Sequence, residues 1–533
     1  MTQHPSALRH APLIGLEVHD RSLWEPSRVL PLLGAMKSMG YNALVLHQND
    51  LLDVTTQLGL TANYGVTDLR LKKVRNNAGW LRHLTAALAE FDAKLFLEIK
   101  EPSYEDYALE FYPTLIGPGG TADPTEPDWP AFCRAKVQDL LERVPDIGGL
   151  IVNLSSPESR VSLPDHLQRS GQAFDRAGWF DRMIDAFREP LKAAGKDLYV
   201  RDFSYTEELQ SDVLAAVDRQ AGAVGASVKI TAHDYFPEYP ENPAARQIRA
   251  PFLFEFEAFG EHTGWGVIPN CRVKELRERM RGYRNLGAAG MLVRISWEAI
   301  SGVTAMDHTG AVNVFALPQL ARRDIDEKDL VCAWLTSSFD ITGAAAARIA
   351  ELLLDSWAIP AAAYWNAQVF PRHSCIPSSW QEGWLSMQSN GMGRHDRALN
   401  IDADADLFSE TARADLFEQK KSAVDLAHRL AQAAREMADE IPDAPSRLLL
   451  SGFQWLPHFA RQFELATQAT FYAARGQAGD HQLCAALRDE TNALADEIER
   501  SLNTHAPLPH HHILLLDPDQ LRLFAKSLPR AVR

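Results

Sequence analysis

The chain has 533 residues, 46% of them hydrophobic, with 30 prolines and 31 glycines, which is ordinary globular composition but too long for one core, so at least two cooperating units are expected. Its 54 Lys and Arg stand against 70 Asp and Glu, a formal charge of -16. A polyanion would meet general repulsion, which sets nucleic acid aside as a main partner.

Five cysteines, odd in number and without CxxC spacing, argue against a disulfide framework and a structural zinc site. The N-terminal MTQHPSALRHAPL lacks an apolar core, and no run approaches the roughly 20 apolar residues of a membrane span. The expectation is a cytoplasmic protein.

In chain order, short β-branched or aromatic runs alternate with amphipathic helical stretches. LIGLEVH at 13–19 predicts a first strand, SRVLPLLGAMKSMG a helix, and NALVLH at 42–47 a second strand. AGWLRHLTAALAEFD then leads to KLFLEIK at 94–100, and FCRAKVQDLLERV to GLIVNLS at 149–155. WFDRMIDAFREPLKAAG precedes DLYVRDFS at 197–204, and EELQSDVLAAVDRQ precedes SVKITAHD at 227–234. The prolines of FPEYPENPAARQIRAP predict a shaped loop with at most a short helix before PFLFEFEA at 251–258. VKELRERMRGYRNLG, with Gly287 as its C-terminal cap, leads to GMLVRIS at 290–296.

Eight strands alternating with helices predict an α/β fold, a (β/α)8 TIM barrel over residues 12–310 after a tail at 1–11. The alternative, a doubly wound open sheet, lacks a GxGxxG turn after the first strand, where the chain reads LEVHDRSLW. From 311 to 533 the runs are long, alanine-rich and leucine-rich, among them AAAARIAELLLDSWA and SAVDLAHRLAQAAREMADEI. They predict a helical C-terminal domain packed on the barrel, or joining two copies as a homodimer, or both.

Active sites of such barrels sit where the strands end. The candidates are Glu17, His19, His47, Glu98, Lys100, Glu158, Arg160, Arg201 and Asp202, then Lys229, His233, Asp234, Tyr235, Glu255, Glu257, Glu261, His262, Trp265, Arg294 and Trp297. A rim of acids interleaved with aromatics suits glycoside hydrolysis, in which paired carboxyls act on the scissile bond and rings support sugars. Any single acid is better explained as one half of an ion pair in the polar upper layer. His19, His233, Asp234 and a glutamate on one divalent ion form a second reading, a metal-dependent hydrolase or isomerase. A third is a sugar-binding barrel without catalysis. No metal or cofactor motif is present, and no GxSxG. His510, His511 and His512 read as loop residues before a closing segment.

Four stretches resemble glycoside hydrolase family 67, the α-glucuronidases: GGLIVNLSSPESR at 148–160, VKITAHDYFPEYP at 228–240, FEFEAFGEHTGWG at 254–266 and NVFALPQLARRDIDEKDLVCAWLTSSF at 313–339. The resemblance implies a barrel glycosidase acting on a carbohydrate, with no cofactor and with inversion at the anomeric carbon. It implies Glu158 as proton donor, with Asp234 and Glu261 as the pair supplying the base that activates water. It also suggests Arg160, Arg201 and Arg294 as holders of a uronate carboxylate. Within EFEAFGEHTGWG, alternation places Glu255 and Glu257 inside the barrel as supports and leaves Glu261, past the strand, as the catalytic candidate.

Overall fold

The computed structural model describes residues 12–58, 67–171, 173–204, 206–231, 234–237, 239–364, 374–388, 409–477, 479–504 and 508–530. Eight parallel strands close a barrel in sequence order: β1 (Leu13–Val18), β2 (Ala43–His47), β3 (Lys94–Lys100), β4 (Gly149–Asn153), β5 (Asp197–Arg201), β6 (Gly225–Lys229), β7 (Phe252–Glu257) and β8 (Gly290–Arg294). Closure is direct, since Gly15 of β1 is in register with Ala43 of β2 on one side and Leu292 of β8 on the other. Each expected run contains one strand, so the barrel reading holds.

The runs overshoot where pairing stops. The sixth run extends to Asp234, but β6 follows β7 only as far as Lys229 opposite Glu255. Beyond it the chain turns away, with Asn242 donating its N–H to the Ile230 carbonyl and Thr231 bridging Glu241. Helix ends follow local chemistry. The Thr206 hydroxyl accepts from the Leu209 N–H at the start of Glu207–Arg219, and Gly287, at φ 69°, terminates Val273–Leu286. One helix starts earlier than expected. Thr67–Ala89 already buries Leu71 and Val74, an apolar stripe that the surrounding Arg70, Lys72, Lys73 and Arg75 conceal. Among its described residues, the connection before β7 holds the 3-10 turn Pro243–Arg246 and no longer helix.

The chain divides into two compact units, each assembled from several segments. The first comprises Met1–Ala232, Glu241–Phe256 and Gly282–Gly302. Its core is the lower barrel interior, where Ala43, Val45, Phe96, Ile151, Tyr199, Leu253 and Leu292 form one buried cluster. Burying each large side chain contributes about 1.5–3 kcal/mol. Two residues further along the strands the interior turns wholly polar: Glu17, His47, Glu98, Asn153, Arg201, Ser227, Glu255 and Arg294 are all buried. Strand periodicity of two produces this step, because i and i+2 face the same side.

The second unit comprises His233–Pro240, Glu257–Arg281 and Val303–Arg533. It is helical, and Leu456–Arg475 lies between Glu410–Ala438 and Asp480–Thr504. The ring of Phe417 meets Phe471 at 5.5 Å and Tyr472 at 5.7 Å. His510–Leu515 is a short helix where a loop was expected, entered from Pro509 in an extended conformation. No single described helix is long and apolar enough to cross a membrane.

Candidate active site

The polar layer of the first unit is a closed ion network. The Arg201 guanidinium reaches Glu255 through Nε (2.9 Å to Oε1) and Nη2 (2.8 Å to Oε2), and its Nε lies 3.0 Å from Glu98 Oε1. The Ser227 hydroxyl donates to Glu255. Arg294 Nε donates to Glu17 Oε1, and His47 Nδ1 sits 2.9 Å from Glu17 Oε1 and 3.1 Å from Glu98 Oε1. Burial pushes the Glu98 carboxyl well above the usual range, only partly offset by Arg201. Against the same burial, the adjoining Arg201 holds Glu255 below its ordinary value. Burial drives His47 and His19 well down, aided by the nearby cations.

Glu17, His19 and His47 bring donor atoms within 4.8 Å of one another. The two imidazoles, however, stack face to face at 3.6 Å and 5°. Ring nitrogens bind metals in the ring plane, and two nearly parallel, stacked planes share no nearby point that both lone pairs could meet in-plane. His19 Nδ1 lies 3.1 Å from Glu298 Oε2. His233, the other histidine of the metal reading, lies outside the described residues.

Above this layer Lys100, 2% exposed, gives its ammonium to Glu158. The Glu158 side chain is 43% exposed, so the proton-donor candidate sits at a wet, ion-paired position rather than in an apolar setting that would keep its proton on. Phe203, which the strand-end reading passed over, stands beneath three cations: Lys229 at 4.3 Å, Arg201 at 5.2 Å and Lys100 at 5.6 Å from its ring centre. Arg160 lies over the Tyr104 ring and pairs with Asp106. Asp202 accepts from Gln210 and the Ser204 N–H, a local structural role. Trp297 is half-buried in a bridge with Ile300.

In the second unit, the segments after β6 and β7 bring three more predicted residues together. His262 Nε2 lies 3.5 Å from Asp234 Oδ2 and 3.5 Å from Glu261 Oε1, and the three donor atoms fall within 4.8 Å of one another. All three residues are buried, and the His262 ring packs on Phe236 with centroids 4.0 Å apart. Phe236 thus holds the face of the imidazole, whose Nε2 lies equally far from both carboxyls.

The loop backbone is pinned from every side. Glu257 accepts from the N–H groups of Gly260 and Glu261 and pairs with Arg272 at 3.2 Å. Burial raises the Glu257 carboxyl despite that arginine. Trp265 donates its indole N–H to the Glu261 carbonyl at 2.9 Å. Trp265 and Tyr235 are 4% and 1% exposed, so both lie inside the fold. Gly260, Gly264 and Gly266 all have positive φ, and a Cβ on Gly266 would stand 2.2 Å from the His308 ring. The glycines read in EFEAFGEHTGWG are thus demanded by the turn and by close packing.

No family model and no curated protein matches this sequence. Solved structures of glycoside hydrolases do match. A GH138 enzyme targeting pectin rhamnogalacturonan II aligns with TM-score 0.66 and 11% identity over 95% of this chain and 65% of that chain. A β-N-acetylhexosaminidase from Bacteroides fragilis aligns at TM-score 0.40 and 12% identity over 61% of this chain and 70% of its own. An O-GlcNAc hydrolase from Thermobaculum terrenum, in mutant form, aligns at TM-score 0.45 and 9% identity over 97% of this chain and 94% of its own. This chain thus spans a little under two thirds of the GH138 enzyme, and its likeness to that enzyme establishes the fold: a closed eight-stranded barrel with a mostly helical C-terminal region.

Proposed function

We propose that this chain is a glycoside hydrolase in which Asp234 and Glu261 act as a carboxylate pair on water attacking the anomeric carbon. The observation that carries the reading is the pair itself: two buried carboxyls from different loops, oxygens within 4.8 Å, joined by one imidazole at 3.5 Å from each. One carboxylate takes the water's proton while the other and His262 orient it. Glu158, after β4, takes the proton-donor role that the α-glucuronidase resemblance assigns it. The proposed outcome is inversion. An inverting acid and base stand roughly 6.5–9.5 Å apart, so Asp234 and Glu261, closer than that, belong to the same side of the reaction.

The substrate we propose is a uronic-acid-containing glycan of the pectin kind, the material targeted by the GH138 enzyme of the same fold. A net charge of -16 opposes an anionic glycan at long range, so local cations must recognise the carboxylate. Arg201 and Arg294 are engaged by Glu98, Glu255 and Glu17. We assign the carboxylate to Lys100 and Lys229, which share the Phe203 ring, Lys100 exchanging its pairing with Glu158 for the substrate.

The short Asp234 to Glu261 separation also favours a second reading, a retaining pair, for which carboxyls stand about 5–5.5 Å apart. Purified protein screened against aryl glycosides and pectic oligosaccharides, with NMR of the first-formed anomer, tests both. The inverted anomer, lost in Asp234→Asn and Glu261→Gln, is the expected result. A retained anomer selects the second reading. Wild-type turnover that survives both substitutions overturns the site.

A further inference from the structure

We propose that Ser374 is a positioning residue for Glu261, tying the loop after β7 to a segment 113 residues further along the chain. This rests on the role given to Glu261 above. Glu261 is followed by Gly264, Trp265 and Gly266 at φ 90°, 52° and 75°, and preceded by Gly260 at φ 96°. A bulky residue such as Trp265 stays in the left-handed region only where its surroundings over-determine it.

Ser374 is one of those surroundings. Its hydroxyl accepts the Gly264 N–H at 2.8 Å and donates to the Glu261 carbonyl at 3.1 Å, so one buried oxygen fastens the loop at two points. Ser374 is fully buried and itself sits at φ 61°. The Glu261 carbonyl thus takes two donors, Ser374 and the Trp265 indole, while its N–H faces Glu257. These bonds fix the backbone from which the Glu261 carboxyl projects toward Asp234 and His262. A carboxylate that must hold water against an anomeric carbon tolerates little displacement, and a misplacement near 1 Å costs about 10²-fold in rate. Without the hydroxyl, the buried Gly264 N–H and Glu261 carbonyl each lose a protein partner.

The test compares Ser374→Ala and Ser374→Gly in the full chain. Glycine relieves the left-handed backbone while removing both bonds, so it separates stability from positioning. Expected for Ser374→Gly is a smaller drop in melting temperature than for Ser374→Ala, faster hydrogen exchange in residues 258–267, and kcat lowered about 10- to 100-fold with KM unchanged. Ser374→Ala should show the same kinetic loss. Wild-type kcat in Ser374→Gly, or unchanged exchange across 258–267 in both variants, overturns the proposal. If the wild-type chain cleaves no glycan, the glycosidase reading fails and exchange alone decides: lost protection supports Ser374 as the fastening of the loop, retained protection refutes it.

Discussion

The Arg201 guanidinium meets the Glu255 carboxylate edge to edge, Nε 2.9 Å from Oε1 and Nη2 2.8 Å from Oε2, with both side chains at most 2% exposed. Strands β5 and β7 thereby share one buried ion pair inside the barrel. Two parallel hydrogen bonds to a planar fork repay part of the desolvation.

Removing one partner strands the other charge in the barrel. Arg201→Met is expected to destabilise the fold by about 3–5 kcal/mol, read by urea or thermal unfolding. Pairing it with Glu255→Leu should recover much of that loss. A double variant no better than the single would show that the pair is not the unit of stability.

Glu158 can be tested through the leaving group. A proton donor matters most when the departing alcohol is basic, so Glu158→Gln should lower kcat on oligosaccharides by about 10²- to 10⁴-fold. The loss should be far smaller on aryl glycosides with acidic phenols. Equal losses on both substrates would assign Glu158 and its partner Lys100 to binding instead.

Asp53 and Glu101 share the single buried ammonium of Lys136, 2.7 Å from each. Burial pushes the Glu101 carboxyl up to about 7, against the pull of Lys136 and with Asp53 adding to the push. An unfolded glutamate releases its proton near 4.5. From there to about pH 7 the folded chain keeps a proton that the unfolded chain has lost, so stability falls as pH rises through that window. Glu101→Gln should flatten the profile of stability against pH by an amount on the order of 2–3 kcal/mol. Parallel profiles for wild type and variant, from unfolding at pH 4.5 to 7, would refute it.

Strands, helix caps and the separation of Glu255 and Glu257 from Glu261 were legible because they depend on neighbours two to four residues away. Alternation turns Glu255 inward whatever the rest of the chain does, and Gly287 ends its helix by its own φ. The expected gathering of Asp234, Glu261 and His262 also came from order along the chain, since all three follow adjacent strands.

Tertiary structure decided what each side chain does with its charge. Arg201 and Arg294 were candidates for a substrate carboxylate, yet their partners are Glu98, Glu255 and Glu17, up to 277 residues away, and burial rewards whichever counter-charge the barrel brings close. Trp265 was a candidate sugar platform, and its indole instead serves the Glu261 carbonyl. Ser374 had no signal at all, because one serine hydroxyl acquires meaning only when the fold lays it between Gly264 and Glu261. Local periodicity writes the frame of this protein. Contacts distant in sequence, formed where water is excluded and every polar group must find a partner, assign the roles within it.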